Sequence, residues 1–340
     1  MSNASERWGQ RVVQYRFGLP HEVLKVEDAV FDRVPNEGEV LVKVARSTIH
    51  PGDLQLVAAK YSTPGQVIPE GRVPGLEAAG VVADAAPGAL DGTGLSIGAR
   101  VAFFAPGAWQ SYARVPVGSL IAIPEDLADD IAAQVLINTI TARHVLRTGL
   151  QGTSTRPGRI VQTGAASAVG KLITVFALQQ GLHPIRLVRS RESVAQLAVT
   201  LPGGDIIDTA TAGWQEAVRD AAAGDIALAV DGVGGGLVGE IGALLNVRGR
   251  LVSYGLLADA PADLTLFVPK ALSLLGASIG TWTADVTPEI RAQDMRAAIE
   301  IGRNAPEIFA EFRDFALSEL DGAITAVTAR GKTGNIVLKF

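Results

Sequence analysis

Residues Gly158 to Arg191, GRIVQTGAASAVGKLITVFALQQGLHPIRLVRSR, decide the architecture. Arg159 to Thr163 is a short apolar run of the kind buried on both faces of a parallel sheet. Gly164 to Gly170 is built almost wholly from tiny residues, and Val169 to Gln180 continues as a helix that Gly181 stops. Strand, small-residue turn and helix together put backbone N–H groups and a helix N-terminus where a pyrophosphate would sit. The spacing falls short of the full G-x-G-x-x-G: counted that way it begins at Ala165, meets Ser167 in the middle and keeps only Gly170. The same residues also suit an ordinary βα turn, because small side chains permit tight helix-on-sheet packing.

About 25 residues after Gly164, where NAD-preferring folds place an acid on the ribose hydroxyl, the second strand ends in Arg189, Ser190 and Arg191. Two cations and a hydroxyl suit a 2′-phosphate and hence NADPH, while two solvated arginines at a strand end are the plainer reading. Two further loops follow apolar strands on the side where such sheets bind ligands. Asp231-Gly232-Val233-Gly234-Gly235-Gly236 follows Ile226 to Val230, and Tyr254-Gly255-Leu256-Leu257 follows Arg250 to Ser253. Gly232, Val233, Tyr254 and Gly255 could bring backbone up to a nicotinamide, or could be simple turn residues.

The surrounding pattern is α/β. From 126 to 284 helices alternate with apolar strands: helix 129–148, strand 159–163, helix 169–180, strand 184–189, helix 191–199, strand 226–230, helix 236–245, and strands 250–254 and 274–280. Residues 11 to 124 instead carry short strand-like runs punctuated by Gly and Pro, such as Glu39–Ala45, Ala78–Ala83 and Arg100–Phe104. An amphipathic helix from Pro288 to Asn304 and a closing strand from Asn335 to Phe340 return to that β region. The expected domains are therefore 1–125 with 285–340, and 126–284.

Composition narrows the function. A chain of 340 residues with 48% hydrophobic content and 38 glycines is a packed globular protein large enough for two domains. Net charge is −5 with Lys and Arg scattered, so no footprint for nucleic acid or a membrane surface is expected. The start is polar and no run of 18 apolar residues occurs, which points to a soluble, cytoplasmic protein acting on a small molecule. Zero cysteines exclude disulfides, thiolate nucleophiles and Cys-based metal sites. The four histidines, His21, His50, His144 and His183, are dispersed, so no metal site is expected.

Two motifs are decoys. Gly276-Ala277-Ser278-Ile279-Gly280 matches the G-x-S-x-G nucleophile elbow, yet it lies in a strand-like run with no helix expected directly after it, and every histidine precedes it. The ATPase phosphate loop needs Ser or Thr after its Lys, whereas Lys171 precedes Leu172.

The chain resembles the medium-chain dehydrogenase/reductase superfamily over nearly its whole length. The marks are Gly38 to Val44, Val73 to Val82, the nucleotide turn, and Gly331 to Leu338. That resemblance implies a Rossmann doubly wound parallel sheet plus a GroES-like β-barrel catalytic domain. The zinc alcohol dehydrogenases of the superfamily have a His where this chain has Leu76, together with cysteines that it lacks, so their Lewis acid cannot be built here.

Two segments look most like the 2-enoyl thioester reductases: Ile49-His50-Pro51-Gly52-Asp53 leading to Lys60-Tyr61, and Asn138-Thr139-Ile140-Thr141-Ala142. His50 stands for an Asn, Thr139 for a Pro, and Ala165-Ala166 for a Ser-Asn pair. The resemblance implies Tyr61, Thr141 and Asn138 as catalytic residues, and His50, Trp109 and Trp282 as pocket walls. It implies a cofactor held by Gly164, Ala165, Ser167, Ala168, Val169, Gly170, Arg189, Arg191 and Trp282. Hydride would pass from NADPH to the β-carbon of an activated alkene, with Tyr61 as donor to the enolate. Quinone, enone or haloacrylate reduction is the near alternative, and an NADPH-binding protein without turnover the distant one. Arg46, Lys60 and Arg143 are candidates for meeting an acidic handle on the substrate. Apolar Leu272 to Ile279 is the expected edge of a homodimer.

Overall fold

The computed structural model describes residues 6–61, 66–69, 71–152, 158–329, 332 and 334–340. Contacts divide the chain into two compact units, Met1–Ile137 with Met295–Phe340, and Asn138–Asp294. The first unit contributes β1 (Glu6–Gln14), α1 (Pro20–Val23), β2 (Leu24–Asp32), β3 (Glu39–Thr48), α2 (Pro51–Val57), β4 (Glu77–Ala85), β5 (Arg100–Phe104), β6 (Tyr112–Pro116), β7 (Leu120–Ala122), α3 (Asp129–Ala132) and the start of α4 (Val135–Leu150). The second unit holds the rest of α4, then β8 (Arg159–Gln162), α5 (Ala168–Gln179), β9 (His183–Val188), α6 (Arg191–Thr200), β10 (Ile206–Asp208), α7 (Trp214–Ala221) and β11 (Leu228–Asp231). It continues through α8 (Leu237–Leu244), β12 (Arg250–Ser253), β13 (Ser273–Gly276), α9 (Ile279–Asp285) and the first residues of α10 (Pro288–Asn304). The chain closes in the first unit with β14 (Phe312–Ala316), α11 (Leu320–Thr328) and β15 (Asn335–Lys339).

In the first unit β14-β15-β3-β4-β5-β7 form one sheet, β6 pairs with β3, and β1 and β2 form a separate antiparallel ribbon. Period-2 alternation sends Val40, Val42 and Val44 of β3 into a core with Val101, Phe103, Ile336 and Leu338. The last strand lies antiparallel to β3, with Val337 opposite Thr48.

In the second unit the described strands form a wholly parallel sheet in the order β10-β9-β8-β11-β12-β13. Parallel strands need covering on both faces. Val161, Ile185, Ala229 and Leu251 accordingly pack into a cluster with Val238, Ile241 and Leu244 of α8. The order reverses between β8 and β11, and in doubly wound sheets ligands bind outside the strand ends at such a reversal.

Three expectations need correction. The run 274–280 is not one strand: β13 ends at Gly276, and α9 starts after Ser278, whose Oγ accepts the Thr281 N–H at 3.1 Å. A helix therefore does follow the G-x-S-x-G sequence, and its serine hydroxyl caps that helix. Helix 129–148 is two helices, α3 and α4, parted at Ala133 and Gln134. The short β10 and α7 were not anticipated, since three residues of strand carry almost no periodic signal. Among the described residues no helix is long and apolar enough to cross a membrane.

Candidate active site

In the second unit three loops meet at the ends of β8, β11 and β12. The first begins at Gly164, whose φ of 60° suits a residue without Cβ. Ser167 caps α5, its Oγ accepting the Gly170 N–H at 3.0 Å. Gly170 sits so close to the strand end that a Cβ would lie 2.3 Å from the Gly164 carbonyl oxygen. Buried Gln162 fixes this approach, donating from Nε2 to the Gly170 carbonyl at 2.5 Å and accepting from Thr174 Oγ1 at 3.2 Å. Ala165 is fully buried, while Ala168 and Val169 are half-buried and Ser167 is exposed. The Ala168 and Val169 amides, at the start of the helix, have no intrahelical acceptor.

Asp231 organises the second loop. Its carboxylate is fully buried and accepts from Thr163 Oγ1 at 2.5 Å, Val233 N at 3.1 Å and Gly234 N at 2.8 Å. Thr163 Oγ1 in turn accepts the Gly232 N–H at 3.0 Å. The third loop locks onto the second: the Val233 carbonyl accepts the N–H groups of Leu257 and Ala258, both at 3.0 Å. A Cβ on Gly255 would lie 2.1 Å from the Gly232 oxygen, and one on Gly232 would lie 2.5 Å from the Tyr254 hydroxyl. Burial, with the charge of Asp231 added, pushes the Tyr254 phenol well above its usual range, so it keeps its proton. Gly164, Ser167, Gly170, Gly232, Val233, Tyr254 and Gly255 are thus brought together.

Arg189 lies at the end of β9 and Arg191 opens α6, whose cap Ser190 accepts the Ser193 N–H at 3.1 Å. Both arginines are exposed, and among the described residues neither is ion-paired. An open βα turn with unfilled amides beside two uncommitted guanidinium groups fits a phosphorylated dinucleotide.

Trp282 is fully buried, donates its indole N–H to Asp294 Oδ2 at 2.8 Å, and lies 4.5 Å beneath the Arg291 guanidinium. It presents no surface to a ligand. Asn138 is buried and Thr141 half-buried on α4, one turn apart on the same face. Arg143 is committed to Asp294 at 2.6 Å.

In the first unit His50 precedes α2 and Tyr61 follows it, so the helix separates them. Tyr61 is 41% exposed and directly precedes residues 62–65, outside the described set. Trp109 is fully buried, its indole against Gly75, and so is also enclosed. Arg46 is held by Asp130 and Asp314, leaving it unsuited to an acidic handle. Gly331 and Thr333 of the closing motif lie outside the described residues.

His50 is buried, and its Nε2 lies 2.7 Å from Glu77 Oε2. The other oxygen of Glu77 accepts the Leu136 N–H at 2.5 Å, while Asp53 Oδ2 accepts the His50 N–H at 2.8 Å. Burial works against the imidazolium, but the hydrogen bond and charge of Glu77, with Asp53, outweigh it and hold His50 above its ordinary value. Asp53 is pushed up to about 6, chiefly by burial. Sequence reasoning named His50 but missed the roles of Asp53, Glu77, Thr163, Asp231 and Asp294. The acid three residues after His50, at a helix start, and the aspartate opening a glycine loop were the available signals.

Residues 36–125 match the model of the alcohol dehydrogenase GroES-like domain. Over 333 residues the chain is 25% identical to a mitochondrial enoyl-[acyl-carrier-protein] reductase of Dictyostelium discoideum, covering 94% of this chain and 92% of that protein. The human enzyme of the same name is 27% identical over 289 residues, covering 80% of this chain and 73% of its own length. These matches support the resemblance to the zinc-independent medium-chain dehydrogenase/reductase superfamily. Escherichia coli quinone oxidoreductase, solved with NADPH, is similar in fold, with a TM-score of 0.81 at 20% identity, covering 97% of this chain and all of that one. The CurK enoyl reductase gives 0.80 at 17% identity, covering 97% and 99%. The residues matching the GroES-like domain lie within the first unit, and the parallel sheet of the second is Rossmann-like.

Proposed function

We propose that this chain is an NADPH-dependent reductase that delivers hydride to the β-carbon of an activated C=C bond, with a 2-enoyl thioester of CoA or acyl-carrier protein as substrate. The observation that carries it is the convergence of three strand-end loops beside the unpaired Arg189 and Arg191. The Gly164–Gly170 turn and the α5 N-terminus would hold the pyrophosphate, and the two arginines the 2′-phosphate. Backbone at Gly232, Val233 and Gly255 would support the nicotinamide. When bound there, NADPH supplies the hydride.

The chain's residues do the rest. Tyr61 gives a hydrogen bond or proton to the enolate that forms on the substrate carbonyl. Thr141 and Asn138 supply further hydrogen bonds near the reacting atoms. The curated relatives named enoyl reductases favour the thioester, and the quinone oxidoreductase fold keeps quinones or enones as the second reading.

The test is NADPH oxidation with crotonyl-CoA, a quinone and a simple enone, using wild type and Tyr61→Phe. The expected result is fastest turnover of the thioester, falling about 100-fold in the variant. Turnover of quinone or enone alone, indifferent to Tyr61, replaces the thioester reading with the second. Binding without turnover of any of them makes the protein a non-catalytic NADPH binder.

A homodimer through β13 belongs to the same proposal. It is an edge strand whose Leu274 is 45% exposed, and Leu266 and Val268 before it are 41% and 86% exposed. Sedimentation is expected to give a dimer at micromolar concentration, and a monomer there removes the dimer.

A further inference from the structure

We propose that a cleft in the first unit, between the β1–β2 ribbon and β6, binds a small aromatic carboxylate through Arg11 and Arg114. The inference does not depend on the reductase reading above. It starts from a cavity of about 340 Å³ whose lining includes Arg11, Phe31, Asp32, Leu41, Tyr112 and Arg114. That volume lies at the lower end of the roughly 300–1,000 Å³ range of small-molecule sites, which suits a ligand built on a single ring. None of these side chains belongs to the nucleotide loops or to the residues assigned to hydride transfer.

Strand pairing brings the two arginines to one place. Arg11 of β1 lies opposite Glu27 of β2, and Arg114 of β6 lies opposite Leu41 of β3. Alternation turns Arg7, Gly9 and Arg11 to one face of the ribbon. Gly9 lets that face approach the start of β6: a Cβ there would lie 2.5 Å from the Ser111 Cβ. The Gln10 N–H donates to Ser111 Oγ at 2.8 Å, and Arg11 forms a backbone bridge with Gln110. The ribbon is thereby fastened beside β6, with Arg11 and Arg114 reaching the cavity from different strands.

Neither guanidinium has found a good acceptor. Arg11 Nη2 lies 3.8 Å from Glu27 Oε2, and Arg114 Nη2 lies 3.4 Å from Asp32 Oδ2; among the described residues neither contact is a hydrogen bond. Arg11 Nε is enclosed without any partner. The two acids are themselves divided, since Glu27 Oε1 accepts from the Tyr15 hydroxyl at 2.9 Å and Asp32 Oδ1 from the Val34 N–H at 3.0 Å. Loose surface pairs of this kind contribute little. A carboxylate that meets a guanidinium fork with two parallel N–H bonds does better, and can displace them.

The remaining walls set what the anion carries. The rings of Phe31 and Tyr112 stand with centroids 5.5 Å apart at 51°, and the Arg7 guanidinium covers the Tyr112 ring at 5.2 Å. Val30 and Leu41 add aliphatic surface. A ligand ring packs on this wall in a tilted arrangement while its carboxylate meets the arginines. A bare inorganic anion would leave the apolar wall in water, and a neutral ring would leave the arginines as they are. Asp32, 60% exposed at the rim, opposes a second negative charge and so favours a monocarboxylate over phosphate.

The experiment is calorimetric titration of the full chain with benzoate, benzamide and inorganic phosphate. Benzoate is expected to bind with a Kd of about 1 mM or tighter, more weakly as salt is raised, and benzamide and phosphate at least about 10-fold more weakly than benzoate. Joining Arg11→Gln and Arg114→Gln in one chain weakens benzoate by about 10-fold or more, whereas Asp32→Asn, which removes the competing charge, tightens it by about threefold. No benzoate binding in the wild type, equal affinity for benzamide or phosphate, or undiminished affinity in the double variant overturns the site. Should the double variant fail to fold, benzoate against benzamide in the wild type and the response to Asp32→Asn decide the question, and an affinity that Asp32→Asn leaves unchanged or weakens counts against the proposal.

Discussion

Asp294→Ala lowers the melting temperature by on the order of 10 °C. The carboxylate is fully buried and accepts from Arg143 Nε at 2.6 Å, from Arg147 at 2.8 and 2.9 Å, and from the Trp282 indole at 2.8 Å. Removing one member of such a cluster leaves the others desolvated and unpaired, a loss of about 3–5 kcal/mol. The guanidinium groups are 28% and 32% exposed and can partly rehydrate, which places the loss near the lower end. For a unit of this size each kcal/mol moves the midpoint by about 2–4 °C. Asp294→Asn keeps one acceptor and is expected to fall between the two. Calorimetry checks both, and a shift under about 2 °C for the alanine variant would mean that the four hydrogen bonds contribute little net stability.

Gly170→Val weakens NADPH binding by up to about 100-fold. The added atoms meet backbone and not the end of a flexible side chain: a Cβ alone would lie 2.3 Å from the Gly164 oxygen and 2.8 Å from the Ala165 Cα. Relief requires the first turn of α5 to retreat from β8, which breaks the Gln162 bond to the Gly170 carbonyl and moves the helix amides away from the phosphate. Overpacking of this kind costs about 1–3 kcal/mol, or up to a hundredfold in a binding constant when it falls on the bound geometry. Gly236→Ala is the control, since a Cβ there meets nothing within 4 Å. Fluorescence titration with NADPH reads both. Equal affinities for wild type and Gly170→Val would show that the turn is not where the dinucleotide sits.

Local signals carried the sequence reading far. The α10 helix runs from Pro288 to Asn304 as its periodicity predicts, and β8, α5 and β9 fall within a residue or so of the expected bounds. The misread run at 274–280 shows the limit of periodicity, which cannot separate a short apolar strand from the start of a helix. Ser278 with Thr281, a cap in plain view, was the missed cue. The groups that hold the site together were harder to find because they are long-range. Asp294 joins Arg143 across about 150 residues, and Glu77 meets Leu136 across some 60. Nothing local distinguishes either acid from a solvated one. Trp109 and Trp282 illustrate the converse: their residue type fits a pocket wall, but only the packed structure reveals that both are enclosed.

The most direct test of the central claim is to follow the label from NADPH deuterated at the transferring nicotinamide carbon into the product of a 2-enoyl thioester. A saturated thioester with one deuterium on the β-carbon is the predicted result. Consumption of NADPH with no deuterium on carbon, or no saturated product at all, would contradict it.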